Sequence, residues 1–340
     1  MDVQLVLAAP LAKSAAPSMG RYGLPMMGGA LSAGILVGYV FVVPGLGTLA
    51  VAGLLHVPLG TMLGYGFVLG PLAALMTTFL YGRLLRRGFW NADTDEVPDS
   101  EGARDEPTDT ASVDEHPGAR RPLPPLYHSL LPIVVPLLLI AAGAIADAAG
   151  VESDLLAFLG NPAFALFAGL VGAYALAKRV LSNERVDQAV TEGFHSTGQI
   201  LLVTGVGGSL GAVIGKTGLD KVLSGIFSAD AGMSTVVTIL LVWLVAALLH
   251  LAIGSIGVAA IAAAGIIAPI MGDLAVPPAV LALAIGSGSL FALQVNSNFF
   301  WMFQPLLGVT TRGALKALTL VTARASVVSL VLVIAVSLVV

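Results

Sequence analysis

The stretch QILLVTGVGGSLGAVIGKTGLD, Gln199–Asp220, has the outline of a strand, a glycine turn and a helix start. A dinucleotide-binding loop needs GxGxxG inside a soluble βαβ unit with an acidic residue about 20 positions on, and a P-loop needs GxxxxGK followed by serine or threonine. Gly205, Gly207, Gly208 and Gly211 miss the first spacing, and the run from Gly211 to Thr217 reads GxxxGKT, one residue short of the second. No alternation of strands and soluble helices surrounds the stretch. Its glycines therefore predict a helix broken near Gly205–Gly208, with unwound peptide groups at membrane depth. Irregular backbone survives there only when it is buried in protein or lines a cavity.

Composition places the stretch in a bilayer. Of 340 residues, 57% are hydrophobic and 11% charged, with a mean hydropathy of +0.94, against about 25% charged in soluble domains. A membrane-spanning helix needs roughly 20 apolar residues. Windows of that kind run over Leu24–Gly45, Leu59–Gly82, Ser129–Gly150, Leu155–Ala177, Thr235–Ala252, Ile253–Gly272, Pro278–Val295 and Ala317–Val340. The expected fold is all-α: a polytopic membrane protein with about 7–10 membrane helices, several of them broken or re-entrant, in two halves. Forty glycines and nineteen prolines are spread through the apolar segments, as expected where helices pack closely or are interrupted. The absence of cysteine excludes disulfides, thiolate metal sites and a thiol nucleophile. The first twenty residues carry no basic run ahead of an apolar one, so they do not read as a secretory signal.

Charge sets orientation and boundaries. Arg83, Arg86 and Arg87 follow the second window, and Lys178 and Arg179 follow the fourth, so these ends are assigned to the cytoplasm. Asp147, Glu152 and Asp154 then face outward. Between Asn91 and Glu115 lie ten of the twenty acidic residues and no aromatic residue, the composition of a disordered linker. The expected organisation is a membrane half over 1–90, an acidic cytoplasmic linker over 91–125 and a second membrane half over 126–340 that holds the substrate site. The linker is a solvated hinge or, alternatively, a regulatory or partner-binding segment. A polar interfacial helix, Ser182–Gly198, leads into the opening stretch.

The glycine–serine break recurs at Ile253–Gly257 (IGSIG) and Ile285–Ser289 (IGSGS), and the latter runs into QVNSN, Gln294–Asn298. Secondary carriers use such interrupted helices, whose half-helix ends face an anionic solute near the midplane. The candidate substrate ligands are Gly205, Gly207, Gly208, Ser209, Gly254, Ser255, Ser287, Ser289, Gln294, Asn296, Ser297 and Asn298. Their amides and hydroxyls suit the hydroxyl groups of a polar solute. The competing account makes the glycines close-packing positions of the small-xxx-small kind and the polar run an interfacial helix end. Ionisable groups inside the membrane are costly. His250 is a candidate proton relay or partner of a carboxylate, or else a hydrogen-bonded interfacial histidine. Arg324 is a candidate counter-charge or partner of a backbone carbonyl, and Lys216 reads as a snorkelling lysine.

These three stretches, in this order, resemble the gluconate permease family of proton-coupled carriers of gluconate and related sugar acids or hydroxy acids. GVGGSLG (205–211) is similar to the family's GAGGAFG-type loop, IGSIGVA (253–259) to its QGSATVA-type segment, and IGSGSLFALQVNSNFFW (285–301) to its IGAGS...HVNDSGFW segment. The resemblance covers most of the chain. It departs at His250, where the family pattern has arginine; at Ile253, in place of glutamine; at Gln294–Phe299, which lacks the pattern's histidine and aspartate; and at Val42–Thr48 (VVPGLGT), in place of VPPHPGP. The family's first helices are expected to be missing.

The resemblance implies a multi-pass plasma-membrane carrier of a small organic anion. It implies alternating access with proton symport, no cofactor or metal and no nucleic-acid partner, and it leaves self-association open. The alternative is a non-transporting, degenerate paralogue acting as a scaffold or partner subunit. An intramembrane enzyme has no support, since no serine–histidine, HExxH or paired-carboxylate constellation occurs in the apolar segments.

Overall fold

The computed structural model describes residues 1–97, 125–148, 151, 153–217 and 234–339. Among these the protein is helical, with seven helices long and apolar enough to cross a membrane. The chain is an all-α polytopic membrane protein.

It divides into two compact units, Met1–Glu96 with Gly198–Val340, and Val97–Thr197. The first 96 residues pack against helices from the far end of the chain. In the larger unit, α1 (Asp2–Ala15) is followed by a short 3₁₀ segment, then α2 (Gly23–Phe41), α3 (Leu46–Leu54), α4 (Leu59–Arg86) and a single turn, α5 (Ala92–Asp95). The smaller unit holds α6 (Leu126–Ala148), α7 (Asp154–Gly160) and α8 (Pro162–Val180). Helix α9 (Asn183–Thr217) follows, then α10 (Thr235–Ile253), α11 (Ile256–Ile267), α12 (Pro278–Ser289), α13 (Asn298–Leu307) and α14 (Thr311–Ser337). Helix α14 contains one π turn, Leu315–Thr319.

Close packing through small residues is the adhesive here, since helices in lipid gain nothing from burying apolar surface against one another. Helix α2 lies at the centre of its unit, with Gly28, Gly29, Ser32, Ala33, Leu36 and Val37 all buried. Its last turn is gripped by glycines from three other helices. A Cβ on Gly66 of α4 would strike the Phe41 carbonyl, one on Gly257 of α11 would sit 2.6 Å from the Tyr39 hydroxyl, and one on Gly286 of α12 would sit 3.1 Å from the Val40 carbonyl. In the smaller unit, α6 and α7 touch backbone to backbone at Gly143 and Gly160.

Several expectations change. Helix α9 runs without interruption from Asn183 to Thr217, so the break expected at Gly205–Gly208 is absent, and the interfacial helix and the opening stretch are one element. Glycine is tolerated inside a membrane helix, where no water competes for the peptide groups. The window Leu155–Ala177 is two helices, because the Asn161 side chain accepts from the amides of Ala163 and Phe164 and Pro162 takes the first helical position. IGSGS is helical, and the chain unwinds only after it. The segment expected to be a linker from Asn91 onward is folded over its first residues, 91–96, as set out below. The remainder of that acidic run, 98–124, and the Gly218–Asp220 end of the opening stretch lie outside the described residues.

Candidate functional site

Two helix interruptions meet in the larger unit. The first ends α10: Gly254 adopts φ +77°, its amide donates to the His250 carbonyl at 2.8 Å, and Ser255 begins α11 by accepting from the Val258 amide. Left-handed backbone at this angle costs a side-chain-bearing residue roughly 1–2 kcal/mol, which glycine avoids. The second runs from Leu290 to Ser297, between α12 and α13, and Ala292 within it has φ +53°. The two cross at a point of backbone contact. A Cβ on Gly254 would fall 2.5 Å from the Asn296 carbonyl oxygen, and Asn296 Nδ2 donates to the Leu251 carbonyl at 2.9 Å.

Each side of the crossing is pinned. Thr322 Oγ1 of α14 accepts from the Leu293 amide at 3.0 Å, and Trp301 Nε1 donates to the Val295 carbonyl at 2.7 Å. His250, 1% exposed, sets its Nδ1 2.8 Å from the Phe291 carbonyl. A carbonyl can only accept, so Nδ1 carries the proton, and Nε2 is buried without a hydrogen-bond partner. Electrostatically the crossing combines the positive ends of α11 and α13 with the negative ends of α10 and α12. Such an arrangement can hold an anion against the first pair and a proton or cation against the second.

The structure thus brings together Gly254, Ser255, Asn296 and His250, with Gln294 and Ser297 in the same interruption and Asn298 opening α13, its Nδ2 turned to Met302 Sδ at 3.4 Å. It does not bring Ser287 and Ser289 to them. Ser287 is fully buried, bonded to the Ser326 carbonyl at 2.8 Å and to Ser329 Oγ at 2.8 Å, and Ser289 donates back to the Gly286 carbonyl. Ser287 binds α12 to α14, and Ser289 bonds within its own helix. Gly205, Gly207, Gly208 and Ser209 lie in the uninterrupted α9, with open space beside Gly205. Arg324 Nη1 donates to the Leu80 carbonyl at 3.3 Å and lines a cleft of about 550 Å³ that reaches Phe291.

Sequence reasoning missed two features. Thr322, Ser326 and Ser329 form a polar stripe at helical spacing on an apolar helix, and that spacing was the available signal. The second is a buried ion pair at one end of the unit. The Asp95 carboxylate, fully buried, faces Lys316 Nζ at 2.5 Å and Arg312 Nε at 3.3 Å, and accepts from the Asn91 amide at 2.8 Å. Burial pushes its pKa up, but the Asn91 amide and the Lys316 ammonium outweigh that and hold it below the usual carboxylate range. Lys316 also donates to the Phe89 carbonyl at 2.8 Å, and Thr310 bonds the backbone of Thr94 and Asp95. Asp95 sits in an acidic run, which concealed it.

A bundle of membrane helices with interruptions that cross inside it is the build of a solute carrier, not of an enzyme. The chain belongs to the family described as GntP family permease, whose model matches residues 1–339, and it is accordingly a multi-pass plasma-membrane transporter. It is 28% identical to the Gnt-II system L-idonate transporter of Escherichia coli (strain K12), over 99% of this chain and 73% of that protein. It is 30% identical to the D-serine transporter DsdX of the same strain, over 97% of this chain and 72% of the relative. The high-affinity gluconate transporter of that strain is 28% identical, with coverages of 97% and 72%. No solved structure matches the chain.

Proposed function

We propose that the protein carries gluconate or a related sugar acid or hydroxy acid by alternating access, in symport with protons. The observation that carries this reading is the crossing at Gly254 and Asn296, where two interruptions place four half-helix ends and the uncharged groups of the 294–298 run together. The relatives are named for L-idonate, gluconate and D-serine. All three are small carboxylates with a hydroxyl or amino group on the neighbouring carbon. A helix N-terminus suits the carboxylate, and amide side chains suit the hydroxyls. His250 supports proton coupling as the titratable group beside the crossing with a ring nitrogen left unpaired.

The test is uptake of labelled gluconate, L-idonate and D-serine into proteoliposomes, with and without an inward proton gradient. The expected result is uptake of at least one sugar acid that the gradient accelerates. His250→Asn, whose amide can still donate to the Phe291 carbonyl, should fold, transport and lose the gradient's effect. Absence of uptake of any hydroxy acid by correctly inserted protein rejects the carrier reading, and uptake indifferent to the gradient rejects the symport.

A further inference from the structure

Helices α4 and α14 run antiparallel. Lys316 Nζ bonds the Phe89 carbonyl just beyond α4, and eight residues further along α14 Arg324 bonds the Leu80 carbonyl, nine residues before Phe89. Between them lies the cleft of about 550 Å³. Its α4 wall is one helical stripe, Leu80, Arg83, Leu84 and Arg87, at spacings of three and four. Its α14 wall places Arg324 next to Val327 and Val328.

The lining therefore has a gradient along its length. Arg87 lies about 10 Å beyond Leu80 along the helix axis, at 1.5 Å per residue, and Val328 lies about 6 Å beyond Arg324 in the opposite direction. Arg87 marks one end and Val327 and Val328 the other, while Arg324, on the Leu80 carbonyl, and Arg83, leaning back over Phe79, lie between them. Among the described residues none of the three arginines meets a carboxylate. Arg83 leans over the Phe79 ring at 5.0 Å, and Arg324 has the Leu80 carbonyl. The apolar end is not closed: Leu80 is 41% exposed and Val327 48%, and Val331, one turn on, is 59% exposed. That strip continues along a helix long enough to span the bilayer, so the cleft opens sideways along the helices.

A free sugar acid would satisfy the arginines and leave the aliphatic strip bare. A zwitterionic lipid would cover the strip and leave three cations without net compensation. The geometry points to an anionic phospholipid as the occupant, its phosphate on Arg83, Arg87 and Arg324 and one acyl chain along Leu80, Val327 and Val331. By the positive-inside rule the headgroup lies in the cytoplasmic leaflet, where anionic lipids attract basic residues near the surface. The site reaches Phe291, whose carbonyl holds His250. A lipid seated there steadies the interruption on which transport depends.

The experiment uses the full chain in detergent, titrated with dioleoylphosphatidylglycerol, dioleoylphosphatidylcholine or glycerol 3-phosphate. Retained adducts are read by native mass spectrometry and the thermal midpoint by intrinsic fluorescence. The expected result is one phosphatidylglycerol retained at an occupancy at least about tenfold above phosphatidylcholine, with a raised midpoint, and no response to glycerol 3-phosphate. Each arginine-to-glutamine change should weaken retention about fivefold, and the three together on the order of a hundredfold. Arginine-to-lysine changes should restore most of it.

Should Arg324→Gln fail to fold, the pair Arg83→Gln and Arg87→Gln at the rim carries the comparison alone. Equal retention of the two lipids, or unchanged retention in a monodisperse glutamine variant, overturns the proposal. Protection by glycerol 3-phosphate as strong as by phosphatidylglycerol overturns it in favour of a small-anion vestibule. Cross-linking of Val331 to a second copy that excludes lipid overturns it in favour of a subunit interface.

Discussion

Gly254 has both a backbone angle that disfavours a side chain and a neighbour that leaves no room for one. Substituting Gly254→Ala adds roughly 1–2 kcal/mol for the left-handed angle and drives a methyl group to 2.5 Å from the Asn296 carbonyl. The expected outcome is a lowered thermal midpoint in detergent together with loss of uptake, because the crossing must open to accommodate the methyl. A control at the far end of the next helical segment, Gly272→Ala, meets no atom within 4 Å and should leave both readouts near wild type. At this scale the sequence was informative where polar and glycine residues coincided. Ser255 following Gly254 reads as a cap after a break, and 294–298 is too polar to continue an apolar helix. It misled at Gly205–Gly208, because glycines that break a helix and glycines that merely sit in one have the same spelling. What decides between them is whether a neighbour presses on the backbone.

The polar stripe of α14 argues the same point for whole elements. Ser326 Oγ accepts from Trp243 Nε1 at 2.9 Å and donates to the Ser287 carbonyl at 2.7 Å, so one hydroxyl joins α10, α12 and α14. Hydrogen bonds between membrane helices are worth about 0.6 kcal/mol on average, because the unfolded chain in lipid also finds partners. Ser326→Ala, which removes two, is expected to cost about 1 kcal/mol in a reversible unfolding titration. Ser287→Ala separates the two roles given to that serine. As a packing contact it lowers stability and leaves KM for the transported acid unchanged, whereas a substrate ligand would raise KM severalfold. Hydropathy located each of these helices, since apolar length is what the bilayer demands of them. Which polar residues face a neighbour and which face a solute depends on helix rotation, and a nearly uniform apolar segment does not encode that.

At the scale of the whole molecule, the Asp95 cluster ties the segment after α4 to the start of α14, 221 residues away. Gly313 is part of the fit, since a Cβ there would strike the Asp95 carbonyl. Because the folded carboxyl is held below its unfolded range, its contribution is fully present above the unfolded carboxylate pKa, about 3.9. It is lost as pH falls from there through the lower folded pKa. Stability should therefore be flat in this respect near neutrality and decline in acid below about pH 4, and Asp95→Asn should abolish that part of the decline.

The substitution also strands Lys316, whose side chain is 14% exposed. Removing one partner of a buried pair costs about 3–5 kcal/mol, whereas replacing both by apolar residues of similar size is often neutral. Asp95→Asn should accordingly lower the thermal midpoint well below that of the double variant Asp95→Leu, Lys316→Met. If the single and double variants melt together, the pair is a surface contact without structural weight. If the double variant is stable yet transports slowly, the pair holds α4 and α14 in the register that the crossing at Gly254 requires, since α14 also supplies Thr322 to that crossing.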